Sequence, residues 1–301
     1  MTKNLPKSNH KEKQMTANIS EEFPQDLFFF KESTKEQILM SDNQKVHVFY
    51  SIKKTNLEIE RPSIVFIQGL GPGIYSWSDF WDQLYKDYNL IVIDSREKPS
   101  IDLKSDKKCT VSRIALDIAE VLHHLKIQKE KSVIIASSFG IFYVAHCVAN
   151  SWFKPRGCIF IGPFVESNYP KLKTRFAFML PTFFLEKFGK LIARRFLSGK
   201  IAEGFQKKVY YERVSAIDVR RWKKCSKMRF WNATEDFKKI ECPVMIYTTA
   251  DDKYHKQEGA ALVKKLIKNS KLEIIPNYNY MHIKPGVSKF MLKIQKVISD
   301  F

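Results

Sequence analysis

Ser138 is the residue of this chain best placed to do chemistry. It stands in Val133-Ile134-Ile135-Ala136-Ser137-Ser138-Phe139-Gly140-Ile141-Phe142, where a β-branched run ends in small-x-Ser-x-Gly and an apolar helical pattern begins at once. A serine raised on so sharp a strand–turn–helix bend presents its hydroxyl as a nucleophile. The bend also brings together the positions two before and two after it, so only small side chains fit there. Ala136 and Gly140 meet that requirement. A serine hydroxyl is a weak nucleophile, so such a site needs a base to take its proton and donors to hold the oxyanion that its attack creates.

The elements that must position this serine are legible as alternating patterns. Strand-like runs cover 46–51, 63–68, 90–94, 133–136, 158–162, 244–248 and 272–275. Between them Val111, Ile114, Ile118, Val121 and Leu125 recur at helical spacing after a capping Thr110; Ala260, Val263, Leu266 and Ile267 do the same, as do Val287, Phe290, Met291, Ile294, Val297 and Ile298. Strands alternating with helices predict an α/β fold, a mostly parallel central sheet with helices on both faces. One segment, 166–240, breaks the alternation: it shows no strand pattern, interleaves aromatic and basic residues, and reads as a helical insertion over the sheet. The expected organisation is a disordered tail over 1–22, core over 23–165, a basic helical lid over 166–240, and core again over 241–301.

Composition narrows the partners. The chain has 301 residues, 44% of them hydrophobic, and a formal net charge of +19. About 19 Lys/Arg against about 7 acidic residues fall in 166–240, so the insertion carries most of the excess. Such a balance fits a nucleic-acid binder, a peripheral membrane protein or an enzyme for anionic substrates, and a lysine-rich genome would produce it with no functional meaning. No helix-turn-helix, zinc-finger or RNA-recognition pattern accompanies it, so nucleic acid is not the expected partner. Cys109, Cys147, Cys158, Cys225 and Cys242 are odd in number and include no Cys-x-x-Cys pair, so free thiols and no metal site are expected. The tail lacks the apolar core of a signal peptide, which points to a cytoplasmic protein. The apolar run 133–149 is broken by Ser137, Ser138 and His146 and reads as a buried strand and helix, not as a membrane span.

With these residues in view, the chain from about Val46 onward resembles the α/β-hydrolases, of the serine esterase or lipase type with a helical lid. Four features carry the resemblance in order. Ile64-Val65-Phe66-Ile67-Gln68-Gly69-Leu70-Gly71-Pro72-Gly73 is similar to the strand and glycine-rich loop that supply an oxyanion donor. Asp94-Ser95-Arg96 is similar to the Asp-x-Arg closing the next strand, and the Ser138 elbow follows. Pro243-Val244-Met245-Ile246-Tyr247-Thr248-Thr249-Ala250-Asp251-Asp252 is similar to the strand that delivers the acid, and His282 completes the order Ser, Asp, His.

The resemblance implies Ser138 as nucleophile, His282 as base, Asp252 as the acid with Asp251 as its fallback, and the backbone N–H groups of Leu70 and Phe139 as the oxyanion hole. Gln68, Gly69 and Gly71 would form the supporting loop. His255 lies too close to the acid in sequence to be the expected base, and His123 and His124 read as surface or packing residues. Three positions depart from the pattern: Gln68 where His is usual, Met281 where Gly often precedes the base, and Glu97-Lys98-Pro99 where glycines are common. The implied activity is hydrolysis of a carboxylic ester or thioester through an acyl-enzyme, with no cofactor and no metal. Phe176, Phe178, Phe183, Phe184 and Trp222 are candidates to line the acyl pocket. The alternative is a non-catalytic binding protein of the same fold whose basic lid recognises an anionic partner. The amphipathic stretch 182–197 suits an anionic membrane surface or an acyl carrier, or equally a lid helix packed on the body with its basic side chains in solvent.

Overall fold

The structure, a computed structural model, describes residues 28–52, 61–71, 77–167, 175–176, 178–198, 207, 210–211, 214–215, 217–251 and 255–301. The tail expected over 1–22, together with Gly73 and Asp252, lies outside them.

In chain order the elements are α1 (Phe28–Glu32), β1 (Thr34–Leu39), β2 (Lys45–Ser51), β3 (Ser63–Ile67), α2 (Ser78–Asp87), β4 (Asn89–Asp94), α3 (Val111–His124), β5 (Ser132–Ser137), α4 (Gly140–Ala149) and β6 (Gly157–Ile161). They continue with α5 (Lys190–Ser198), α6 (Val219–Lys224), α7 (Thr234–Lys238), β7 (Val244–Thr249), α8 (Gln257–Leu266), β8 (Ser270–Ile275), α9 (Tyr278–His282) and α10 (Gly286–Asp300). The strands form one sheet in the order β1-β2-β4-β3-β5-β6-β7-β8. The β1–β2 and β2–β4 pairs are antiparallel, and from β4 to β8 every neighbour is parallel.

The predicted architecture is the observed one. Strands β4, β5, β6 and β7 are buried at every residue, which is why they read as unbroken apolar runs. Helices α3, α4 and α8, with Phe237 of α7, pack one face of the sheet, and α1, α2, α9 and α10 pack the other. The cap read at Thr110 is made: its Oγ1 accepts the Arg113 N–H at 3.2 Å. The apolar run 133–149 is β5 followed by α4, and among the described residues no helix is long and apolar enough to cross a membrane.

Arg96 shows what the Asp-x-Arg of β4 does. Fully buried, it pairs Nε with Asp117 Oδ2 and Nη2 with Asp117 Oδ1, both at 2.6 Å, so β4 is stapled to α3. It also holds Asp42 of the β1–β2 turn at 2.8 and 3.1 Å. One guanidinium thus fixes the chain just past β4 to two other elements.

The segment between β6 and β7 contains helices and, among its described residues, no strand beyond an isolated bridge between Glu166 and Asn232. It is tied to the core covalently. Cys109, just before α3, and Cys225, which ends α6, form a disulfide with Cα atoms 5.2 Å apart. This corrects the expectation that all the thiols are free: an odd cysteine count permits a pair, and 116 residues of separation leave no local signal for it. Cys147, Cys158 and Cys242 remain free.

Candidate active site

β5 delivers Ser138 at the C-terminal edge of the sheet, and the turn into α4 holds it in the left-handed region at φ 51°. A non-glycine residue there is uncommon and is held by its surroundings. The requirement for a small residue at Gly140 is met with no room to spare, since a Cβ there would lie 2.4 Å from the Gln68 carbonyl oxygen. Gly69 is similarly close: its added Cβ would sit 3.1 Å from Ser138 Cβ. The loop after β3 therefore rests directly on the elbow, as the sequence pattern requires. The Gly69 N–H donates to Ser137 Oγ at 3.2 Å and completes the join.

The loop after β3 is organised by a residue that the sequence marks only as a departure. Lys98 is buried, and its ammonium donates to the carbonyl oxygen of Gly69 and, at 2.9 Å, to that of Gly71. The Gly69 carbonyl and the Leu70 N–H belong to one planar trans peptide and point in opposite directions. Holding the carbonyl on Lys98 therefore fixes where the Leu70 N–H is aimed. Among the described residues neither the Leu70 nor the Phe139 N–H is taken up by a backbone carbonyl. Glu97 Oε1 lies 3.4 Å from the Lys98 ammonium, and Arg221 of α6 donates to the Lys98 carbonyl. Gln68, expected in the supporting loop, is buried, but its amide makes no hydrogen bond among the described residues. Nearby, burial raises the Asp94 carboxyl to about 6, against the opposing pull of the Lys98 charge and the Ser100 hydroxyl.

Two imidazoles line the pocket beside Ser138, a space of about 50 Å³. His255 Nε2 lies 2.8 Å from Ser138 Oγ, so the ring that the serine meets is not the one expected from chain order. His282, on α9, is buried in the same pocket with its ring stacked on Tyr278 at 4.1 Å and against Trp77 at 4.2 Å. Thr248 and Thr249 close the floor, with buried hydroxyls that have no hydrogen-bond partner among the described residues. Asp251 is exposed just past β7.

The acyl-pocket candidates are placed differently from expectation. Phe176 and Phe183 are exposed, and Phe178 packs on Trp222 with ring centroids 4.4 Å apart. The aromatic walls beside Ser138 are Trp77, Tyr210 and Tyr278. No periodicity or motif marks these three, because they converge only when the sheet brings separate loops to one edge. His124 contacts Glu36 at 2.8 Å, and His123 lies 6.3 Å from the Phe153 ring, both in keeping with the packing role read for them.

The profile of the Alpha/beta hydrolase family matches residues 64–285, well over half of the chain. No match was found among curated proteins. Among solved structures, an esterase from Exiguobacterium antarcticum is similar with a TM-score of 0.70 at 15% identity, covering 88% of this chain and 100% of its own. A hydrolase from Oleispira antarctica gives 0.64 at 17% identity, covering 81% and 94%. A bromoperoxidase from Bacillus anthracis gives 0.67 at 15% identity, covering 89% and 100%. Likeness at such identity speaks for the fold, on which different chemistries are built.

Proposed function

This chain belongs to the alpha/beta hydrolase family, and from that premise we propose that it is a serine hydrolase opening a carboxylic ester or thioester through an acyl-enzyme on Ser138. The observation that carries the reading is a serine at positive φ on the β5–α4 turn, with its hydroxyl 2.8 Å from an imidazole nitrogen. Ser138 Oγ bonds to the carbonyl carbon as its proton passes to the base, and the carbonyl π electrons move to oxygen. The N–H groups of Leu70 and Phe139 hold that oxyanion. Its collapse expels the alcohol or thiol, which takes the proton from the imidazolium; water then repeats the sequence and frees the acid.

His282 is assigned the base and Asp252 the orienting acid, with Asp251 as its alternative. Strands β7 and β8 are paired neighbours, Thr249 opposite Ile275, so the chain leaves both at the same edge of the sheet. An acid that orients the imidazole is what the proposed mechanism needs from the residues after β7. A second reading gives the base to His255, and its 2.8 Å contact with Ser138 favours it. A fluorophosphonate probe tests the function, and alanine variants test the assignment. Labelling is expected at Ser138 and lost in Ser138→Ala. Turnover of a short p-nitrophenyl ester should fall by several orders of magnitude in His282→Ala and by less in His255→Ala. The reverse ranking transfers the base to His255. Absence of labelling at Ser138 in folded protein would leave a non-catalytic binding protein of the same fold.

A further inference from the structure

We propose that the stretch 175–198, between β6 and β7, docks this chain on an anionic lipid bilayer. Of the 13 large apolar residues that are exposed among the described residues, 7 fall within 176–192. Met179 is 81% exposed, Phe183 70%, Leu191 65% and Ile192 60%. A monomer rarely displays so much apolar surface in one place without a partner for it.

The exposure is not that of a detached segment. Leu185 is buried, Lys223 Nζ donates to the Leu180 carbonyl at 2.7 Å, and Phe178 packs on Trp222. The inner side is anchored to the protein while the outer side stays apolar. On that outer side the rings of Phe184 and Phe188 meet at 5.0 Å, and Leu191 and Ile192 follow three and four residues after Phe188, in one stripe.

Charge selects the occupant. Between 175 and 198 the chain has five basic residues, Arg175, Lys187, Lys190, Arg194 and Arg195, and one acidic residue, Glu186. Arg175, Lys187, Arg194 and Arg195 are exposed, and the Lys187 ammonium lies 5.4 Å over the Phe188 ring. An apolar face rimmed by long cationic side chains suits the boundary between acyl chains and anionic headgroups, where the stems lie along apolar surface and the charges reach phosphate. A second copy of this chain on the same face would bring like charges together.

This proposal deepens the hydrolase reading by naming the surface at which the enzyme works, yet the binding needs no catalysis. Its test is co-sedimentation of the full chain with phosphatidylcholine vesicles and with vesicles of phosphatidylcholine and phosphatidylglycerol at 7:3. Association is expected only with the second, rising with the anionic fraction and falling at least tenfold between 50 and 500 mM salt, by roughly the logic of a Debye length that shortens to a few ångströms. Phe183→Ser/Leu191→Ser and, separately, Lys187→Glu/Arg195→Glu should each reduce binding about tenfold, about 1.4 kcal/mol, with unchanged circular dichroism and unchanged probe labelling of Ser138. Equal association with both vesicles, or with neither, overturns the proposal. So does a concentration-dependent dimer abolished by the apolar variant, or binding to an acyl carrier without binding to vesicles. Because sedimentation is read without turnover, loss of vesicle binding and loss of Ser138 labelling are separate results.

Discussion

Lys98 combines burial with contact to two carbonyls on either side of Leu70. Under the proposed mechanism its role follows from peptide planarity: holding the Gly69 carbonyl preorganises the Leu70 N–H. Lys98→Met keeps the volume and removes the donor, and kcat should fall roughly 10²–10³-fold, the scale of losing one oxyanion donor, with KM little changed. Steady-state kinetics read the split, and a rise in KM alone would show the loop to be held by other contacts. The sequence marks Glu97-Lys98-Pro99 as a departure without saying what replaces the missing glycines, because the answer lies in a contact 29 residues away. Ser138 is the opposite case. Its exposure is a local matter of strand, turn and small flanking residues, so it is legible directly. Its partner is not, since which of two imidazoles reaches the hydroxyl depends on how the turns after β7 and β8 fold over the sheet edge.

At the scale of elements, the strands buried on both faces announce themselves, while the edge does not. β1 reads Thr-Lys-Glu-Gln-Ile-Leu and is mostly exposed; it is a strand because β2 pairs with it, register by register from Thr34 opposite Tyr50 to Leu39 opposite Lys45. Polar composition of this kind protects an edge and at the same time hides it from pattern reading. The Arg96 staple joins that edge region to the centre, with Asp42 on the β1–β2 turn and Asp117 on α3. Arg96→Met leaves Asp117 buried with Arg113, at 2.8 Å, as its one cationic partner among the described residues. The expected loss of stability is about 3–5 kcal/mol, that of breaking a buried pair on one side. Urea unfolding would measure it, and a loss under about 1 kcal/mol would mean that Arg113 alone satisfies the carboxylate.

For the molecule as a whole, the Cys109–Cys225 disulfide is the feature that joins the two readings of the chain, a legible core and a less legible insertion. Closing 116 residues restricts the unfolded chain, and bonds of this kind contribute about 2–4 kcal/mol. Cys225→Ser should therefore lower Tm in scanning calorimetry to the value the wild-type protein shows in reductant, and reductant should leave the variant unmoved. A Tm indifferent to both changes would mean that the α6 contacts alone secure the insertion. The same bond has a topological result. Ser138 lies inside the covalent ring from 109 to 225, whereas His255 and His282 lie outside it. A protease that cuts once after Arg175 would place the nucleophile and both histidines on different polypeptides, yet the two would remain one molecule. Such a nicked protein would migrate as a single species on a non-reducing gel and resolve into two fragments only when the disulfide is opened.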